Sequence, residues 1–398
     1  MASKLRLGAV LVAGSLSLAA CKGGAAGGGG DTITVGMFAT TSAATSAAFV
    51  NTWSVDGVQA GLKAINAAGG VNGKKITLKV CDNAGDPNRD ATCARRAVQE
   101  KWVAVLGGFD PYAPSQTLPV LEAGSVPYVG FLQGTPAEYQ SRVSFPVSIG
   151  TVGGYVGTFS QMVHDGCKKP VFVGANDAGS DVTYAQAKDV FGSAPGVTFN
   201  GAIKFTSGTT DVTPTVADAL AQRPDCLAFG GGGNDAAKFF AAVRKAGSKA
   251  TLYASPGVLQ PQVIAALGKT AEGIKGASDT PMPNSSDPSM QKFLTDLKGY
   301  SAKAVPNEFS LIGYASTLLL QQGLTGLGDV TAKGLLKKLG GMSGVKVMNF
   351  PPLDFTKTRG SRQYPRMFNS SVWYGVVKNG QWTSSGSQTP TDIGQYIK

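Results

Sequence analysis

The sequence predicts an α/β protein of two Rossmann-like lobes, each a parallel sheet flanked by helices. Three observations predict it. Strand-like and helix-like patterns alternate with short connections over residues 33–131, as in a parallel sheet covered by helices. The alternation stops near 145–151 and then restarts. About 368 residues lie beyond residue 30, too many for one typical core.

In order along the chain, residues 33–38 form a short apolar run that opens the folded part. Val55, Val58, Leu62 and Ile65 then recur at helical spacing, and Gly69-Gly70 is a helix stop. Residues 76–81 alternate in the β manner, 89–101 read as helix, and apolar runs follow at 103–106 and 128–131. In the second half, 171–174, 227–229 and 252–254 read as buried strands. Helices are expected at 184–191, 213–222, 235–246 and 307–322. The tail differs, with short strands and turns at 345–349, 372–377 and Trp382.

Composition narrows the function classes. The chain is 42% apolar and 15% charged, which fits a globular protein rather than a disordered one. Its formal charge of +11 is scattered, with only the pairs Lys74-Lys75, Lys168-Lys169 and Lys337-Lys338. A nucleic-acid groove needs clustered cations interleaved with aromatics, so nucleic acid is not an expected partner. Catalysis is not expected either. Gly-x-Ser-x-Gly is absent, and Ser289–Lys292 carries a Ser-x-x-Lys without its companion motifs. No Gly-x-Gly-x-x-Gly follows the first strand, so no dinucleotide cofactor is expected.

The first residues read as an export signal. Lys4 and Arg6 precede an apolar stretch at 7–18, too short for a membrane span of ~20 residues. Leu18-Ala19-Ala20-Cys21 resembles the lipobox of bacterial lipoproteins, which implies a signal peptide over 1–20 and lipidation of Cys21. Residues 21–30 are then a Gly-rich tether, and the protein is expected outside the cytoplasm, lipid-anchored to the bacterial cell membrane. Four further cysteines in an exported chain read as two disulfides. Cys81 with Cys93 is the favoured pair, because Cys81 ends a strand and Cys93 lies on the next helix. Cys167 and Cys226 each precede a strand of the second half. No metal site is expected, since no Cys-x-x-Cys occurs and His164 is the sole histidine.

Longer runs carry a family resemblance. They are Ala64-Ile65-Asn66-Ala67-Ala68-Gly69-Gly70-Val71-Asn72-Gly73-Lys74-Lys75-Ile76, Gly85-Asp86-Pro87, and the stretch from Pro119 to Pro127. Ala271-Glu272-Gly273-Ile274 and Gly313-Tyr314-Ala315 add to them. Together the chain resembles the type I periplasmic solute-binding proteins of ABC importers, branched-chain amino-acid branch. The resemblance implies two lobes joined by three crossovers, lobe 1 at 31–148 plus 279–345 and lobe 2 at 149–278 plus 346–398. It implies a monomer that captures a small-molecule ligand between the lobes and delivers it to a membrane permease. A sensing or surface-interaction lipoprotein of the same fold is the alternative.

Candidate ligand residues follow from the strand ends. The loop where the family carries paired serines reads Gly107-Gly108-Phe109-Asp110-Pro111-Tyr112, and the next offers Leu132, Gln133 and Thr135. Asp110 there would repel an anion at short range, implying a ligand neutral or cationic at that end; as the plainer reading, it caps the next helix. In the second half, family tyrosines align with Gly179 and Gly232, which implies a cleft large enough for a ligand bulkier than leucine. Asp177, Ser180, Gly232, Asn234 and Ser255 are the candidates there, and Phe49 with Trp53 could line the cleft mouth.

Overall fold

The computed structural model describes residues 32–43, 50–176, 178–358, 362–386 and 388–397. The export signal, Cys21 and the tether lie outside the described residues. Strands β1 (Thr32–Ala39) and β2 (Lys75–Asp82) pair in parallel over their whole length, Thr32 opposite Lys75 and Ala39 opposite Asp82. Helix α1 (Trp53–Ala67) connects them, its buried stripe Gly57, Val58, Gly61, Leu62 and Ile65 following the helical period. Helix α2 (Pro87–Gln99) starts where Asp86 accepts a hydrogen bond from the Asn88 N–H, with proline in the first turn. Short strands β3 (Val105–Leu106), β4 (Tyr128–Val129) and β5 (Ser144–Phe145) complete a five-stranded sheet of order β2-β1-β3-β4-β5. Helices α3 (Pro114–Ala123) and α4 (Pro136–Gln140) lie between them.

After α5 (Thr151–His164) a second sheet begins. Strands β6 (Pro170–Ala175), β7 (Ala202–Phe205), β8 (Cys226–Gly230), β9 (Thr251–Tyr253) and β10 (Lys275–Ser278) are parallel. Between them run α6 (Ala178–Gly192), α7 (Thr213–Ala221), α8 (Gly233–Lys245) and α9 (Pro261–Leu267). The chain then returns to the first sheet as α10 (Pro288–Tyr300), α11 (Glu308–Leu324) and α12 (Ala332–Gly340), α11 packing on α1 and β3. It crosses once more to add β11 (Ser371–Lys378) and β12 (Gln381–Ser384), both antiparallel to their neighbours, while β13 (Thr391–Asp392) pairs with β11. The fold is two α/β lobes joined by three crossovers.

The structure corrects one expected element. Residues 345–349 are not a strand but a loop with a single bridge, Val345 to Leu353. Val345, Val347 and Phe350 are apolar because they pack into the core, not because they pair. Helix α5 went unpredicted because Gly153, Gly154 and Gly157 weaken its helical signal. Those glycines let it pack closely: a Cβ on Gly157 would lie 2.8 Å from the Ala277 side chain on β10.

Both expected disulfides form, Cys81 to Cys93 and Cys167 to Cys226. They close loops with sequence separations of 12 and 59 residues. In the chain-entropy model these are worth ~3 and ~4 kcal/mol. The group Cys167, Asp225 and Cys226 has metal-ligand spacing, but its two sulfurs are bonded to each other. No helix among the described residues is long and apolar enough to cross a membrane.

The tightest contact between helices is α1 on α11. A Cβ on Gly57 would lie 1.9 Å from the Ser310 carbonyl oxygen, and one on Gly313 would lie 2.3 Å from that of Ser54. Backbone cannot yield as a side-chain tip can. Gly57→Ala is therefore expected to cost about 1–3 kcal/mol in urea unfolding. Gly299→Ala, on α10 with open space around its Cβ, should be neutral or stabilising by up to about 1 kcal/mol. Equal midpoints for the two variants would refute close backbone contact here.

Candidate ligand cleft

Parallel strands place their carboxyl ends, and the loops after them, on one edge, where ligands of open α/β sheets bind. At that edge of the first sheet three aromatic rings gather. Trp53, opening α1, stacks on Phe309, opening α11, with centroids 6.0 Å apart. Phe109, in the loop after β3, meets Phe309 at 5.8 Å and rests on Gly134, where a Cβ would lie 2.8 Å from its ring. At the carboxyl ends of the second sheet, Tyr155 on α5 lies over Gly230 at the end of β8, 3.0 Å from where a Cβ would stand. Ser255, after β9, faces Gly154. The edge therefore carries an apolar aromatic wall on one side and a tyrosine and a hydroxyl on the other.

Most of the first-lobe candidates turn inward. Asp110 is 3% exposed, and its carboxylate accepts from the Tyr112 and Ala113 N–H groups just ahead of α3. Asp90, buried on α2, is pushed up to about 8 by burial and then by the Asp110 charge. It keeps its proton and donates it to Asp110, while accepting from Asn83 at 2.6 Å. The Asp110 carboxylate is thus held by the loop backbone and α2, turned away from the cleft edge. Asp110 does not cap α3, whose N-cap is Ala113 with no side-chain cap bond; it fixes the turn just ahead of that helix.

Gln133 is fully buried. Its amide donates to the Glu138 and Arg366 carbonyls, so it ties the first sheet's loop to the last crossover. Leu132 is buried in the core of the first sheet. Thr135 caps α4 with Glu138, whose Oε2 accepts from the Gly134 and Thr135 N–H groups and the Thr135 hydroxyl. Burial pushes Glu138 up to about 8. Tyr112 is half-buried beside this network.

In the second lobe, Ser180 is half-buried in the first turn of α6, and Gly232 with Asn234 is exposed at the start of α8. The Gly230–Gly231 turn makes room for the rings of Phe172, Tyr155 and Phe205. Ser255 is nearly buried. Phe49 and Asp177 lie outside the described residues. His164 ends α5, exposed, on the opposite edge.

Sequence reasoning passed over four residues that the geometry brings forward. Phe109 stood beside Asp110 in the inspected loop, and an aromatic directly after a Gly-Gly strand end was its signal. Phe309 read as one apolar position of a helix, and Tyr155 was hidden in a Gly-rich stretch. Glu308, in the first turn of α11, carries no local signal of its own. It reaches to the other lobe, where a Cβ on Gly257 would lie 2.9 Å from its carboxylate. Burial raises its pKa well above the usual carboxylate range, and the neighbouring Asp279 adds to the rise. Asp279 is itself pushed up to about 7 by burial and accepts from the Ser148 hydroxyl.

Comparisons with known proteins agree on the class of this architecture. The family model for the periplasmic binding proteins matches residues 32–368, and the chain belongs to that family. An amino acid binding protein of Pseudomonas aeruginosa is 27% identical over 66% of this chain and 71% of its own length. The Streptococcus pneumoniae branched-chain amino acid transporter substrate-binding protein, solved with isoleucine, has a TM-score of 0.71 at 19% identity. That match covers 89% of this chain and 98% of the other. A solute-binding protein of an ABC transporter from R. palustris, solved with benzoate, has a TM-score of 0.71 at 18% identity, over 90% and 97% of the two chains. Membership places the protein among extracytoplasmic solute-binding proteins.

The buried acids make stability depend on pH. Asp90 and Glu138 have folded-state values near 8, above their unfolded ones. The folded protein therefore retains protons that the unfolded chain has released, and this contribution is complete below pH ~4 and lost as pH rises towards 8. Glu138→Gln keeps the acceptor for the Thr135 loop but cannot ionise. Its unfolding free energy in urea is expected to fall less steeply between pH 5 and 8 than the parent's, by up to ~1.4 kcal/mol per pH unit. Parallel profiles would show that Glu138 ionises normally.

Proposed function

We propose that this chain is a lipid-anchored receptor that captures a small apolar solute between its two lobes and hands it to an ABC permease. The observation that carries the reading is the aromatic wall Trp53–Phe309–Phe109 set opposite Tyr155 and Ser255 across the carboxyl ends of the two sheets. Aromatic faces suit a ligand with a bulky apolar or aromatic body, larger than leucine: an amino acid or related molecule. The lobes in this reading are 31–148 plus 279–345 and 149–278 plus 346–398. The relatives solved with isoleucine and benzoate show the family's fold around compact apolar or aromatic bodies, the lower bound of the size proposed here.

Two exposed side chains support closure. Among the described residues, the large apolar groups left most open to solvent are Val50 at 40% and Val182 at 54%. Val50 precedes α1 and Val182 lies in the first turns of α6, so each follows the leading strand of its lobe at the carboxyl edge. Hinge closure on a ligand would cover both. Attachment follows from Cys21: one acyl chain binds membranes only marginally, so the lipid carried by a processed N-terminal cysteine must supply more than one chain.

The test is a thermal-shift screen of residues 31–398 against amino acids, aromatic acids, amides, polyamines, sugars and nucleosides. A ligand at 100 times its Kd should stabilise by ~2.7 kcal/mol. Hits are expected among apolar and aromatic solutes, with Phe109→Ala weakening them at least tenfold. A broad screen without hits, or hits confined to sugars and nucleosides, would overturn the reading. Separately, Cys21→Ser is expected to move the protein from the membrane to the soluble fraction. Unchanged membrane association would exclude the anchor.

A further inference from the structure

A cavity adjoins the cleft: its lining residues Glu308 and Pro256 stand next to Phe309 and Ser255 in the chain. It has a volume of about 360 Å³, and none of Trp53, Phe109, Tyr155 or Gly230 lines it. Its walls come from the loop after β9, the crossover after β10, the start of α11 and the β11–β12 turn. Both lobes therefore contribute.

The wall is mostly apolar. Leu259, Ile264, Met282 and Leu294 supply side chains, and Pro256, Pro261, Pro281, Pro283 and Pro306 supply rings that have no N–H to donate. Its buried neutral polar groups are engaged, and the amides of Asn284 and Gln381 lie on the exposed rim. Gln260 donates to the Pro256 carbonyl at 2.9 Å and accepts from Asn307 at 3.2 Å. Trp382 donates its indole N–H to Leu259 at 2.9 Å, and Ser278 is bonded to Thr280 at 3.0 Å. Glu308 is the one ionisable residue of the lining, and its carboxyl has no hydrogen-bond partner among the described residues.

We propose that this cavity is a second small-molecule site, taking a compact apolar molecule with one ammonium group that docks on the Glu308 carboxylate. Charge complementarity selects the cation: the wall offers an acid, no basic group, and only rim amides as free donors, so an anion meets no positive charge. The volume lies at the lower end of small-ligand pockets, enough for a phenylalkylamine. The rigid prolines hold the space open without further ordering. Burial and Asp279 disfavour the charged form of Glu308 while it is unpaired, and an ammonium beside it reverses that preference. Because both lobes form the walls, an occupant would couple to closure of the cleft in either direction.

The experiment is isothermal titration of the purified full chain with 2-phenylethylamine, with phenylacetate and 2-phenylethanol as anionic and neutral matches. One molecule of the amine is expected to bind per chain, with 2-phenylethanol at least tenfold weaker and phenylacetate silent. Glu308→Gln should weaken the amine at least tenfold, and Leu294→Trp, which fills the cavity from the half-buried face of α10, should abolish binding. Circular dichroism and melting of both variants must match the parent; Gln381→Trp, on the exposed rim, replaces Leu294→Trp if that variant does not fold. No binding of the amine overturns the proposal, as does equal binding by the parent, Glu308→Gln and the filled variant. Binding that survives these changes but is lost in Phe109→Ala belongs to the cleft and also overturns it.

Discussion

Two sheets joined by three separate passages of one chain can share a cleft only if the passages stay in register, and buried hydrogen bonds between them hold that register. The Ser148 hydroxyl of the first passage bonds Asp279 of the second. Asn369 of the third donates to the Val147 carbonyl at 3.4 Å, and the Arg366 guanidinium donates to Ser144 at 2.8 Å and 3.1 Å. Gln133 adds its bond to the Arg366 carbonyl. Arg366 sits over the rings of Phe145 and Phe368, at 4.8 Å and 4.6 Å, so its charge is held by aromatic faces and carbonyls. Gly150 completes the joint. At φ +78°, a Cβ there would lie 2.4 Å from the Tyr139 hydroxyl, so both conformation and space require glycine.

From this joint the lobes grow by ordinary means. The first sheet is anchored by α1 against α11, a contact between residues some 250 positions apart that relies on paired glycines for close approach. The second is anchored by the Cys167–Cys226 bond at the start of two neighbouring parallel strands, β6 and β8. Such non-local closures make the fold depend on long-range contacts rather than on local propensity, and the crossing segments themselves need little regular structure.

The buried acids show how an apparent ligand group becomes a structural one. Asp90, Asp110 and Glu138 lie beneath the loops at the edge of the first sheet, each bonded to backbone N–H or side-chain donors. A carboxyl in such a place organises a loop by accepting several N–H groups that would otherwise be orphaned. Rigid loops in turn hold Phe109 and its neighbours in position. The same residue types that suggest chemistry at a strand end therefore also serve to fix the strand end itself.

Much of the fold was legible from residue order. The alternation of β and α patterns, the stop at Gly69-Gly70 and the pairing of Cys81 with Cys93 all depend on spacing within a few turns of chain, and periodicity records such spacing directly. The short strands at 105–106 and 128–129 were visible as apolar runs, whereas 345–349 was misread because a packed loop and a strand bury the same side chains. Which way a side chain turns was a different matter. Asp110 faces Asp90 from twenty residues away, and Glu308 reaches Gly257 from fifty; neither direction leaves a local trace. The sequence by itself determined the two-lobed α/β class and the cysteine framework, because these rest on short-range periodicity and on a covalent pairing of few alternatives. Only the tertiary structure decided which acids are buried partners and which face a cavity, because burial and charge environment are set by segments that meet solely in the folded chain.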